Sequence, residues 1–218
     1  MSAPRCRAGT LASLVLLLGC GSNAPELPEE LVGGETSCAA TDYPEQGFGA
    51  EQGDTLKNVC FEGYRAPHRV PPAPEHVETV AFSDFYDPAG TKGVGLLLIN
   101  TSAVWCGACI SEHGTLPERV SELEARGLVV LSALFQDARR EPATLGDLER
   151  WVDEFDTNFP MVIDPALELG IYASPDSAPL NMIVDPRSMR ILRKYVGDQA
   201  AAIWPFIEAE LELRSAAR

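Results

Sequence analysis

Positive charge is scarce: 17 Lys and Arg stand against 32 Asp and Glu, for a formal net charge of −15. Phosphate binding needs a basic patch, so nucleic acid is excluded as a partner. Histidine is scarcer still, with only His68, His76 and His113. A structural zinc site needs four ligands at close spacing, and nothing here supplies a second close cysteine pair, so no metal is expected. No apolar run reaches the ~20 residues that span a bilayer. No internal repeat is visible.

What is present begins with a leader. Arg5 and Arg7 give a basic start, and Leu11 to Leu18 form a short apolar run. Residues 1–19 read as a secretory signal. Leu17-Leu18-Gly19-Cys20 resembles the lipobox of bacterial lipoproteins, with Leu18 where a smaller residue is usual. The resemblance implies cleavage before Cys20 and acylation of its sulfur, and Asn23 in place of Asp implies the outer membrane. Two acyl chains hold a protein on a membrane stably without a spanning helix. An ordinary secretory signal cut nearby is the alternative.

Residues 20–37 mix Pro25, Pro28, Gly33 and Gly34 with Glu26, Glu29, Glu30 and Glu35, and cannot bury enough surface to order themselves; they read as a tether behind Cys20. Residues 38–77 are turn-rich, with short apolar pieces such as Leu56 to Phe61, and read as an irregular extension with one or two short strands. Pro71, Pro72 and Pro74 exclude helix or central strand there. Export into an oxidising compartment makes a Cys38–Cys60 disulfide plausible; two unpaired cysteines, Cys60 being a small apolar strand residue, is the other reading.

Regular patterning sets in near Val80. Val94 to Asn100 is a continuous apolar run, as in a strand buried on both faces. Cys106 to Arg126 reads as helix, stopped at Gly127, with Gly114 and Pro117 predicting a bend or break. Leu128 to Phe135 is a second buried strand. Thr144 can cap a helix whose third residue is Asp147, and Leu145, Leu148, Trp151, Val152 and Phe155 give it one apolar face. Met161 to Ile163 is a short strand; Leu180 to Val184 and Arg190 to Tyr195 form a hairpin; the last helix runs from near Ala200 to Leu213, with Pro205 close to its start. This order is an α/β plan with a mixed central sheet flanked by helices.

The chemistry lies in Cys106-Gly107-Ala108-Cys109, at the junction of the buried strand and the helix. Unpaired N–H groups at a helix start stabilise an anion, so the Cys106 thiol should ionise readily and attack disulfides. Cys109, one turn deeper, can close a disulfide with Cys106. Gly107 and Ala108 are small and leave room for a partner chain. A purely structural disulfide is the alternative, but so tight a loop adds little chain-entropy stabilisation.

The run Leu97 to Glu112, with Trp105 directly before the first cysteine, resembles the thioredoxin superfamily and, within it, the TlpA/ResA-like thiol-disulfide oxidoreductases. The resemblance covers roughly residues 80–213 and implies a thioredoxin-like domain over 78–218. It implies that Asn100 stands where cytosolic thioredoxins carry a buried acid. It implies that Glu112 lies near the thiols, where a carboxylate can take the Cys109 proton; a solvated helix-surface role is the alternative. Pro179 matches the family's cis-proline facing the cysteines, with Ala178 exposing backbone to an extended substrate. Ala108 and Ala178 depart from the proline and the β-branched residue usual at their positions. His113, one turn beyond Cys109, could tune the thiolate electrostatically, but such a residue is most often simply exposed.

The resemblance implies a periplasm-facing, lipid-anchored, monomeric enzyme of the cell envelope that exchanges disulfides with protein substrates and a membrane electron donor or acceptor. It implies no cofactor beyond the cysteine pair, and a frequent family role is reducing apocytochrome c cysteines before haem attachment. Two alternatives sit on related folds. A peroxiredoxin-like thiol peroxidase would need Thr or Ser at Ala103 and Pro upstream near Ile99; a copper-binding assembly factor would need a longer cysteine spacing and a His beyond His113.

Overall fold

The structure is a computed structural model and describes Cys38 and residues 42–216. The signal, the Cys20 lipidation site and the tether expected over residues 1–37 lie outside the described residues. Among the described residues no helix is long and apolar enough to cross a membrane.

The apolar run after Gly95 forms β3 (Leu96–Ala103), and all eight of its residues are buried. A strand buried on both faces belongs at the middle of a sheet with layers above and below. There β3 pairs in parallel with β4 (Leu128–Gln136) and antiparallel with β6 (Leu180–Asp185). β5 (Met161–Ile163) continues the parallel side, and β7 (Arg190–Val196) returns from β6 as a hairpin. β1 (Cys60–Tyr64) and β2 (Glu78–Ala81) complete a mixed sheet in the order β2-β1-β5-β4-β3-β6-β7. The strand taken from the 38–77 extension therefore lies inside the sheet, paired with β5 on one side and β2 on the other.

Gly63 permits that docking. A Cβ there would stand 2.5 Å from the Val162 Cα and closer still to the Met161 carbonyl oxygen. A glycine inside a strand marks such a close backbone approach.

Alternation along β3 sends its side chains to two cores. Leu96 and Leu98 join Leu116, Val120, Trp151, Ile203 and Ile207 under the helices. Leu97 and Ile99 join Leu56, Phe61, Phe82, Met182 and Met189 on the opposite face, where the short helix α1 (Phe82–Phe85) and the segment around Leu56 cover the sheet. The N-terminal extension thus supplies a layer that the β3 pattern requires.

The helix expected from Cys106 to Arg126, with a bend or break at Gly114 and Pro117, is broken into two. α2 (Gly107–His113) ends at Gly114, and α3 (Leu116–Leu123) starts from Thr115 with Pro117 in its first turn. Proline has no N–H to lose in a first turn, so it starts a new helix where it would break a continuing one. A 3-10 turn over Glu124–Arg126 follows, and Gly127 closes it at φ 96°. α4 (Leu145–Phe155) carries the capping box of Thr144 and Asp147, and α5 (Ala200–Ala216) keeps Pro205 inside it.

Candidate active site

β3 ends in a sharp turn at Val104 and Trp105, and α2 begins immediately with Cys106 as its N-cap. The Cys106 Sγ accepts a hydrogen bond from the Cys109 N–H at 3.1 Å. This is how a helix start holds an anionic sulfur. Cys106 and Cys109 are joined as a disulfide with Cα atoms 5.2 Å apart. Cys106 is 4% exposed and Cys109 is not exposed at all, so a partner sulfur reaches residue 106 first.

The loop before β6 supplies the opposite wall. The Ala178–Pro179 peptide bond is cis. The carbonyl oxygen of Ala178 lies 3.6 Å from the Cys106 Sγ. Thr101 Oγ1 accepts from the Leu180 N–H at 3.1 Å and ties this loop to β3. Exposed Gly107 and half-buried Ala108 keep the approach to Cys106 open.

Behind the sulfurs lies a buried polar cluster. Asn100 Nδ2 donates to Glu112 Oε2 at 2.7 Å and to Asn181 Oδ1 at 3.0 Å. Asn181 Nδ2 donates to Glu112 Oε1 at 2.8 Å. Glu112 is therefore no solvated surface residue: both oxygens are held from beneath. Burial pushes its carboxyl up to about 7, against the two amide donors, which favour the charged form, and with a smaller upward push from Asp198. A carboxyl poised there, one turn beyond Cys109, can exchange a proton near neutral pH.

His113 corrects the expectation of an exposed residue. Its ring is fully buried and packs edge-on against Trp151, with centroids 5.1 Å apart, and beside Phe155. Desolvation pushes it down to about 3, so it is neutral. Its nitrogens lie 3.2 Å from Ser102 Oγ and 3.3 Å from Ser132 Oγ. Ser102, Ser132 and Asn181 belong to this cluster and carry no linear motif. Their signal was polar residues at buried strand positions, which need partners.

Trp105 is pinned at the rim. Its indole N–H donates to Gln136 Oε1 at 2.9 Å, and the Arg140 guanidinium lies 3.8 Å from its ring centroid. Arg140 holds a left-handed backbone, φ 68°, and pairs with Asp176 at 3.2 Å, beside the Ala178 loop. Neither contact was legible in the sequence. Cys38 and Cys60 form a second disulfide, with Cα atoms 5.9 Å apart. Among the described residues no three His, Cys, Asp or Glu are grouped so as to hold a metal ion.

No family model matches the chain. The chain is 30% identical over 161 residues to the thiol:disulfide interchange protein DsbE of Allochromatium vinosum, covering 68% of this chain and 82% of that protein. It is 31% identical over 123 residues to the protein of the same name from Vibrio cholerae, covering 55% of this chain and 59% of that one. In structure it resembles a protein from Chlorobium tepidum described as a thiol:disulfide interchange protein DsbE, with TM-score 0.56 and 20% identity over 74% of this chain and 98% of that one. It also resembles a Bacteroides thetaiotaomicron protein described as a disulfide isomerase, with TM-score 0.55 and 15% identity over 76% and 93% of the two chains. At those identities the structural likenesses establish the thioredoxin-like fold, and the sequence match to the Allochromatium protein establishes the family. The chain belongs to the DsbE-like thiol:disulfide interchange proteins, and is a thiol-disulfide oxidoreductase of the thioredoxin superfamily.

Proposed function

We propose that Cys106 and Cys109 are the redox centre, and that the protein reduces disulfides of client proteins on the periplasmic side of a membrane. The observation that carries this is the placement of Cys106 Sγ between the Cys109 N–H and the Ala178 carbonyl, at a helix start. In the reduced enzyme the Cys106 thiolate attacks one sulfur of a client disulfide. That bond breaks, and the second client sulfur leaves as a thiolate that takes up a proton. A mixed disulfide now joins Cys106 to the client. Glu112 takes the proton of the Cys109 thiol, and the Cys109 sulfur attacks Cys106. The client's remaining sulfur leaves and is protonated. Two electrons have passed to the client, and the Cys106–Cys109 disulfide remains, which a membrane-associated dithiol donor would return to the thiol form. No cofactor beyond the two sulfurs takes part.

The Ala178 loop would lie along an extended client segment, with Trp105 as the neighbouring wall. The family resemblance supports apocytochrome c cysteines as clients and a monomer as the acting form. The Leu17 to Cys20 pattern supports a lipid anchor on Cys20, the Pro-, Gly- and Glu-rich composition after it a tether, and Asn23 residence at the outer membrane. Reduction of insulin disulfides tests the chemistry: wild type should turn over with a dithiol donor, and Cys106→Ser should be inactive. An active Cys106→Ser enzyme would remove residue 106 from the mechanism. Palmitate labelling of wild type but not of Cys20→Ala tests the anchor.

A further inference from the structure

The buried cluster reaches further from the sulfurs than the reaction needs. Asn100 uses its full hydrogen-bonding capacity. Its two N–H groups go to Glu112 Oε2 and Asn181 Oδ1, and its oxygen accepts from Ser132 Oγ at 2.7 Å and from Ser102 Oγ at 3.2 Å. The orientation of this amide matters. Turned over, it would aim its oxygen at the Glu112 carboxylate. The two serine hydroxyls oppose that by donating to the oxygen.

Those hydroxyls are themselves held by one ring. His113 Nδ1 faces Ser102 Oγ and Nε2 faces Ser132 Oγ, so the imidazole spans both serines from the side away from Asn100. A neutral imidazole has one N–H. The hydroxyl that receives it has its own hydrogen free for Asn100. Trp151, Phe155 and Phe159 enclose the ring, with centroids 5.1, 5.7 and 6.1 Å away, and the Cys109 backbone is its further hydrogen-bond partner. No solvent reaches it. A hydrogen-bonded path therefore runs from His113 through the serine that receives its N–H, and through Asn100, to Glu112.

We propose that His113 is a positioning residue for Glu112: through the hydroxyl of Ser102 or Ser132 that receives its N–H, it locks the Asn100 amide with its N–H toward the carboxylate. His113 touches no substrate and exchanges no proton in the cycle. It sets the pH at which Glu112 gives up its proton, by keeping in place a donor that favours the carboxylate. The proposal rests on the reading of Glu112 as the base for Cys109 only for its consequence in catalysis; the structural lock stands without it. Among the described residues the other charged group around the cluster is Asp198 from the turn before α5, which opposes ionisation of Glu112; the Cys106 and Cys109 sulfurs on α2 are paired as a disulfide and carry no charge.

The test is a carboxyl-carbon NMR titration of the full chain in its disulfide form, labelled at glutamate, with the Glu112 signal identified by its loss in Glu112→Gln. Two variants are compared with wild type. His113→Phe keeps an aromatic ring against Trp151 and removes both nitrogens. Ser102→Ala with Ser132→Ala keeps the imidazole and cuts the path. In both, the Glu112 midpoint should move up by about half a unit or more, because a donor to its charged form is loosened. The wild-type midpoint in a folded His113→Phe protein would overturn the lock. If His113→Phe fails to fold, the paired serine variant decides: an upward shift supports the lock and an unchanged midpoint overturns it. The base role is read separately, from the pH profile of insulin reduction by Glu112→Gln. A profile unchanged from wild type would dismiss Glu112 as base and leave the titration result standing.

Discussion

The sulfur of Cys106 lies 3.6 Å from the carbonyl oxygen of Ala178, a residue 72 positions later in the chain. In the disulfide form this is a bare contact. In the reduced form the same oxygen can accept the thiol hydrogen. In the proposed mechanism a client segment lying along this carbonyl would run directly beside the Cys106 sulfur.

In the proposed mechanism Cys109 is the sulfur that releases the client. Cys109→Ala should therefore stop turnover at the mixed disulfide and leave clients attached to Cys106. Mass spectrometry of adducts from periplasmic extract should find disulfide-linked peptides on residue 106. Adducts that form equally in a Cys106→Ser, Cys109→Ala protein would point to another thiol.

Glu112 gives the protein a signed pH dependence. Its carboxyl is raised from 4.5 to about 7 by burial, so the folded protein binds more protons than the unfolded chain between those values. Stability from this group is complete below pH 4.5 and is lost as pH rises towards 7. The full shift corresponds to about 3 kcal/mol. Urea melts at pH 5 and pH 8 should show that loss in wild type and a smaller one in Glu112→Gln. An equal loss in both proteins would mean that Glu112 is not desolvated.

His113 acts with the opposite sign. Its folded value lies near 3 against 6.5 for the free side chain, so the unfolded chain takes up the proton first as pH falls. The protein should lose stability from this group between pH 6.5 and 3. Denaturant midpoints of a folded His113→Phe protein across that range should fall less steeply than those of wild type.

The Cys38–Cys60 disulfide closes a chain separation of 22 residues onto the first residue of β1. The loop-entropy relation gives such a link about 3 kcal/mol. Cys38→Ser with Cys60→Ser should lower stability by about that much, while insulin reduction under native conditions stays near the wild-type rate. A proportionate loss of activity would tie the extension to the redox centre.

Gly63→Ala tests the docking of β1. The added methyl would overlap the β5 backbone at Met161 and Val162, which cannot swing aside as a flexible side chain can. The cost should be roughly 2 kcal/mol or more, the upper part of the range for overpacking. Thermal melts should show it, and hydrogen exchange should rise over Cys60–Tyr64.

Much of the plan was readable along the chain. The continuous apolar run of β3, the Thr144 and Asp147 capping box and the three-residue strand at Met161 are local signals, and the structure carries all three. The split after His113 was readable as a bend or a break, with no choice between them. Gly114 and Pro117 announce a disturbance, but whether a helix bends or restarts depends on what α3 packs against, and Leu116, Val120 and Leu123 face the core under the sheet. The site divides in the same way. Cys106 and Cys109 stand out because their chemistry lies in spacing along one helix. Ser102, Ser132, Asn181 and Arg140 do not, because each gains its role from a residue on another element.

Local periodicity, capping and cysteine spacing were enough to set the strand and helix order and to mark the two sulfurs proposed as the redox centre, because those features arise between residues within a turn or two of each other. Folding alone decided that the N-terminal extension donates a strand, that His113 is buried and neutral, and that Glu112 hangs from two asparagines of different strands. These depend on which side chains share a water-free volume, and desolvation is a property of that volume, with no trace in a stretch of sequence.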